Sequence, residues 1–162
     1  MRALFFSTII FAATTASAAG RAPKAGDAAI YTSTYRESAN GPVGSSTWSK
    51  EILEKLDDGT FMVAWNTERG EESRAAVSEL GLFYIYDLPA FCEAQNAPPE
   101  HPAQLETLRI AAGTFRACRI TVTNTGVSTQ WYASEAPFGL IKEVNLFSDK
   151  SIQTLELKKY RR

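Results

Sequence analysis

The chain has 162 residues, of which 44% are hydrophobic and 22% charged, with 17 basic and 18 acidic side chains and a formal net charge of −1. That length suits one domain with a genuine core, and the near-neutral balance lacks the concentrated basic face of an electrostatic nucleic-acid binder. A single histidine, His101, excludes multi-histidine metal sites, and the only thiols are Cys92 and Cys118.

The chain starts Met1-Arg2 and runs through Ala3-Leu4-Phe5-Phe6 and Ile9-Ile10-Phe11-Ala12-Ala13 to Ala16-Ser17-Ala18. A charged start, a short apolar core and a small-residue cleavage site form a secretory signal peptide over 1–18. The apolar run is too short and too interrupted by Ser and Thr for a spanning helix, which needs about 20 apolar residues. Cleavage near Ala18 leaves a soluble product in the periplasm or outside the cell. No cysteine at the site invites lipid attachment.

Residues 19–27 are small, polar and punctuated by Gly and Pro, a flexible leader before a single β domain over 28–162. Ile30 to Tyr35 is rich in β-branched and aromatic residues, a strand that ends at Asn40-Gly41-Pro42. From Thr47 to Leu56, Trp48, Lys50, Ile52, Glu54 and Leu56 share one parity. Ile52, Leu53 and Leu56 also fit a helix face, but the tight turn Asp57-Asp58-Gly59 and the strand Thr60 to Trp65 favour a hairpin. In that second strand Phe61, Val63 and Trp65 fall on one face, with Met62 and Ala64 on the other. Residues 68–79 are polar and open to two readings, a loop with a short helix or a hairpin with a strand near Arg74 to Val77.

Leu82 to Tyr86 reads as a further strand, apolar on both faces. Asp87 can cap a helical turn over Ala90 to Ala94, with Pro89 tolerated in its first turn. Asn96 to Pro102 is Pro-rich and extended, and places His101 in a loop. A strand from Leu105 to Ile110 leads through Ala111-Ala112-Gly113 into a meander. Its strands run from Thr114, back from Val127, from Leu140 to Phe147 and from Ile152 to Tyr160. The turns lie at Asn124-Thr125-Gly126, Pro137-Phe138-Gly139 and Ser148-Asp149-Lys150. Many short strands at regular spacing indicate a mainly β fold, a single curved antiparallel sheet in the form of a half-barrel or open barrel with one or two short helices. The closing cluster Lys158-Lys159-Tyr160-Arg161-Arg162 reads as a solvated end.

Few residues carry chemistry. In an exported chain an even number of thiols oxidises, so Cys92 pairs with Cys118, which stabilises by about 3.5 kcal/mol in the chain-entropy estimate. A reactive thiol would prefer a C-x-x-C spacing or a basic neighbour. Asp57-Asp58 and Glu71-Glu72 point to opposite faces of extended chain, and no nucleophile elbow, phosphate loop or dinucleotide fingerprint is present. The sequence therefore indicates no catalytic residue, no metal and no cofactor. The aromatic residues either fill the core or line a concave apolar pocket.

Gly113-Thr114-Phe115 with Cys118, then Trp131-Tyr132-Ala133-Ser134, Pro137-Phe138-Gly139-Leu140-Ile141-Lys142 and Thr154-Leu155-Glu156-Leu157, resembles a pattern of exported bacterial proteins. Some of these are similar to the half-barrel of the LolA and LolB type, the periplasmic lipoprotein carriers and outer-membrane lipoprotein receptors. The resemblance covers about residues 110–158. It implies a non-enzymatic binding protein holding a lipid or other apolar molecule on a concave face, with Trp131 and Lys142 as candidate contacts; Trp65, outside the resemblance, is a further candidate among the aromatic residues. The alternatives are an interaction protein joining an envelope protein partner and, last, a carboxylate-dependent hydrolase.

Overall fold

The structure, a computed structural model, describes residues 21–38, 40–95, 102–123 and 126–162. The expected signal peptide with its site near Ala18, His101 and the turn residues Asn124-Thr125 lie outside the described residues. Nine antiparallel strands form one sheet: β1 (Ala28–Arg36), β2 (Val43–Lys55), β3 (Phe61–Thr67), β4 (Glu72–Val77), β5 (Gln104–Ile110), β6 (Gly113–Thr123), β7 (Gly126–Tyr132), β8 (Leu140–Phe147) and β9 (Ile152–Arg161). Their order is β4-β3-β2-β1-β9-β8-β7-β6-β5, so the sheet stays open, with β4 and β5 at its edges.

The hairpin chosen over a helix for residues 47–65 is present. Gly59 closes its turn at φ +85°, and the Asp58 carboxylate accepts from Thr60 N and Oγ1 at 2.9 and 2.6 Å. Residues 68–79 follow the second of their two readings, with β4 paired along β3 from Glu72↔Asn66 to Val77↔Phe61.

The sheet curls sharply. β5 and β9 are four places apart, about 19 Å in a flat sheet. Yet Ala111 N, just after β5, lies 3.4 Å from Glu156 Oε1, and the Phe115 and Tyr160 rings are centred 5.8 Å apart. The register sorts side chains onto two faces. Thr32, Glu156, Lys142, Trp131 and Arg119 are directly opposed across five strands and share one face. Their neighbours Tyr31, Leu157, Tyr132 and Cys118 therefore lie on the other. Trp48 opposes Tyr31, and Lys50, Ile52, Val63 and Trp65 continue that second face.

Tyr31, Ile52, Phe61, Val63 and Leu157 are almost fully buried on it. Their cover is the segment expected as a strand over Leu82–Tyr86. It is instead a 3-10 turn (Leu80–Leu82) followed by irregular chain, because Phe83 adopts a left-handed φ of +59° that no strand tolerates. Leu82, Tyr84 and Ile85 point inward while Phe83 is 54% exposed, so an apolar run buried without regular pairing mimicked a strand. Helix α1 (Leu88–Ala94) follows as expected, with Asp87 accepting from Ala90 N at 3.0 Å and Pro89 in its first turn. Leu88 and Cys92 pack it on Cys118 and Ile120.

The chain before β1 is docked where it is described. Asp27, fully buried, accepts from Arg21 Nη2 at 2.9 Å, Lys24 N at 3.1 Å and Tyr84 Oη at 2.6 Å. Arg161 and Arg162, expected in a solvated end, instead hold this segment. Arg161 Nε donates to Gly26 O at 2.7 Å, and Arg162 donates to Arg21 O at 2.6 Å and to Ser134 O.

Candidate functional site

Strand pairing brings two of the three expected contacts together. Trp131 and Lys142 are cross-strand partners on β7 and β8. Trp131 Nε1 donates to Glu106 Oε1 at 2.6 Å, and Lys142 Nζ lies 3.1 Å from Glu156 Oε2 and 5.9 Å from the Trp131 ring. Arg119 stands 3.9 Å from the same Glu106. A carboxylate answers each cation, Glu156 for Lys142 and Glu106 for Arg119, so Lys142 has its counter-ion within the fold.

Trp65 stands apart, on the opposite face and across from Lys50. Lys50 is the residue that sequence reasoning missed. Its ammonium lies 4.3 Å from the centre of the Phe138 ring and 5.7 Å from that of Trp65. It has no ion pair among the described residues. Burial pushes its pKa down. Such a cation gains from ring faces while lacking a carboxylate to neutralise it.

Around Lys50 lies a pocket of about 200 Å3, walled by Tyr31, Trp48, Phe83, Phe138, Tyr132 and Leu140. Tyr31 and Trp48 stack at 4.6 Å, and the Tyr31 hydroxyl donates to Leu140 O at 3.0 Å, so that wall is rigid. Burial raises the Tyr31 phenol pKa far above its usual range, so the wall stays neutral. Phe83 also borders a second hollow of about 510 Å3, lined by Leu80, Tyr84, Ile85, Tyr86 and Phe91. In this hollow Leu80 is 91% exposed and Tyr86 44%. A larger hollow of about 760 Å3 lies at the ends of β2 and β3, where Trp48 and Trp65 line it together with Ser, Thr, Asn, Glu and Arg side chains, so Trp65 also borders a second, mixed site.

The covering chain is fastened from two sides. Cys92 of α1 and Cys118 of β6 lie at disulfide distance, with Cα atoms 5.5 Å apart. Gly139 lies against Phe83 O, so the bend at Pro137-Phe138-Gly139 seats the covering segment. These contacts place Phe83 and Phe138 over Lys50.

No protein-family model and no curated protein matches the chain. Solved structures resemble its course. MucB in complex with MucA(peri) superposes with a TM-score of 0.47 at 11% identity, over 83% of this chain and 50% of that one. This chain thus spans about half the length of MucB. A protein assigned as exported, with a YmcC-like fold, from Bacteroides fragilis gives 0.49 at 10% identity, over 90% of this chain and all of that one. A LolA superfamily protein from Nitrosomonas europaea gives 0.24 at 6% identity, over 86% of each chain. At these scores the likeness transfers no function, and the site must be read from its own residues.

The signal for Lys50 in the sequence was faint. It shares parity with Trp48 and Ile52 in an amphipathic strand, which marks a lysine on the buried face. What that parity lacks is the partner opposite, and only the register supplies Trp65.

Proposed function

We propose that this is an exported, periplasmic, non-enzymatic binding protein that holds a lipid or other apolar ligand against the covered face of a curled sheet. The observation that carries the reading is the aromatic pocket walled by Phe83, together with the exposed apolar side chains Leu80, Tyr86 and Phe91 of the adjoining hollow that shares this ring. Concave, mostly apolar sites with few polar groups are the usual form of small-molecule sites. Contiguous exposed apolar side chains are costly unless they meet a ligand or partner. Trp65 belongs to this reading as the ring behind Lys50. Trp131 and Lys142 would act from the opposite face, by holding the curl.

The test is native mass spectrometry of the protein purified from the exported compartment, followed by uptake of a fluorescent fatty acid by delipidated protein. A co-purifying lipid and saturable uptake are expected. A protein that carries no lipid and takes none up is not a carrier.

A second reading, an interaction protein of an envelope complex, is favoured by a different patch. Val122, Val127, Leu146 and Phe147 are 39–49% exposed together at the tip of the β6–β7 and β8–β9 hairpins. Crosslinking in envelope extracts would then trap a partner through this tip, and substitution of Leu146 by Glu would abolish the adduct.

A further inference from the structure

We infer that the ligand is an amphiphile with a singly charged acidic head, a carboxylate, which Lys50 receives at the inner end of the pocket while the apolar chain leaves past Phe83 toward Leu80 and Phe91. The inference rests on the binding reading above and deepens it by naming the chemical class of the ligand.

Three features of the pocket lead there. The first is the cation itself. Lys50 projects from the middle of β2 into an aromatic enclosure, and every other wall group is apolar or a phenol. The Tyr31 hydroxyl is committed to Leu140 O. The ammonium has three donors and none is used by a described carboxylate or carbonyl. Rings beside it supply part of what water would, but leave its charge uncompensated. An arriving anion would supply both a counter-charge and a hydrogen-bond acceptor.

The second feature is the count of cations. Phosphate recognition favours a guanidinium fork or several cations. Here one lysine stands alone, matching one negative charge. Lys55, on the same strand, sits over Phe61 at 5.5 Å but outside the pocket. The third feature is the exit. Phe83 forms a wall of both hollows, so the two adjoin at this ring. The second hollow is lined by apolar and aromatic side chains, apart from Glu79 at its rim, whose carboxylate is engaged by the Tyr86 hydroxyl. A head at Lys50 therefore has apolar surface for its chain on the far side of Phe83.

The experiment titrates delipidated protein with decanoate and decanol, followed by calorimetry or by displacement of a fluorescent probe. Acetate and inorganic phosphate serve as heads without a chain, and decyl phosphate as a dianionic head on the same chain. Decanoate should bind on the order of tenfold more tightly than decanol, the size of one charge-assisted contact. Lys50→Met should bring the two into equality while decanol binding persists, which also shows that the pocket is folded. Lys50→Arg should keep the preference, and Lys55→Met should leave it unchanged. Equal binding of decanoate and decanol to the native protein, or a preference that survives Lys50→Met, overturns the acidic head alone. Acetate or phosphate binding as tightly as decanoate would make this a simple anion site, and a preference for decyl phosphate would replace the carboxylate by a phosphate head. Failure of both decanoate and decanol to bind overturns the apolar carrier as well.

Discussion

Replacing Gly139 by alanine tests how the cover is seated on the sheet. Gly139 has φ +68°, and an added Cβ would stand 2.5 Å from Phe83 O and 3.2 Å from Ile85 Cδ1. The left-handed conformation alone costs an alanine about 1–2 kcal/mol. The close approach to a backbone carbonyl adds an overpacking cost of about 1–3 kcal/mol, because Phe83 cannot swing away as a flexible side chain would. The expected loss is about 2–5 kcal/mol. Gly59→Ala is the control: its φ is +85° and nothing lies within 4 Å of the added methyl, so it carries only the conformational cost. Any gain from a stiffer unfolded chain is common to both and cancels in the difference. At about 3 °C per kcal/mol for a chain of this size, Gly139→Ala should lower Tm by roughly 6–15 °C and Gly59→Ala by roughly 3–6 °C. Thermal unfolding followed by circular dichroism reads both. If the two variants melt together, Phe83 is not pressed on Gly139 and the seating is wrong.

Thiol labelling of the unfolded, unreduced protein should find no free thiol. Reducing the Cys92–Cys118 link should cost about 3.5 kcal/mol in a urea titration, most of it in the anchorage of α1. Tyr84→Phe removes the hydroxyl that donates to the buried Asp27 carboxylate and should cost about 1–3 kcal/mol; an unchanged urea midpoint would show that the carboxylate is satisfied without it. Burial, together with the Asp27 hydrogen bond for Tyr84, raises the phenol pKa values of Tyr31 and Tyr84 above the unfolded value near 10. Their contribution is therefore fully present below pH about 10 and is lost as pH rises beyond it, because the unfolded chain releases these protons first. Tyrosinate absorbance should show two phenols ionising only with unfolding, and six phenols titrating in the intact fold would contradict this. Glu156→Gln breaks an ion pair whose side chains are 25% and 30% exposed, and should cost only about 0.5–1 kcal/mol by urea unfolding.

Strand periodicity and turn chemistry are local, and what depends on them was legible. The Asp57-Asp58-Gly59 turn decided hairpin over helix, and the Asp87 cap with Pro89 placed a helical turn over Ala90 to Ala94, where α1 lies. Leu82 to Tyr86 failed for a physical reason. Leu82, Tyr84 and Ile85 are buried as part of the cover on the sheet, so the segment's composition is that of a covered strand, while its backbone turns at Phe83 through a conformation that sequence does not announce. The same limit applies to Arg161 and Arg162. A basic run is ordinarily a solvated face, but here β9 carries these side chains to Gly26, Arg21 and Ser134, carbonyls far away in sequence.

The two lysines show where a single sequence stops. Lys50 and Lys142 both sit in the middle of amphipathic strands beside a tryptophan of an adjacent strand, and alternation alone treats them alike. They differ only in what the register places across from them. Lys142 opposes Glu156 on one side and Trp131 on the other, so its charge is neutralised within the sheet. Lys50 opposes Trp65 and Ala29, with Phe138 brought over it by a bend nearly ninety positions later, so its charge is left for something that the described chain does not supply. The Pro137-Phe138-Gly139 motif therefore bears on function indirectly. Gly139 admits Phe83, Phe138 covers Lys50, and between them they convert a lysine on a sheet into the floor of a pocket.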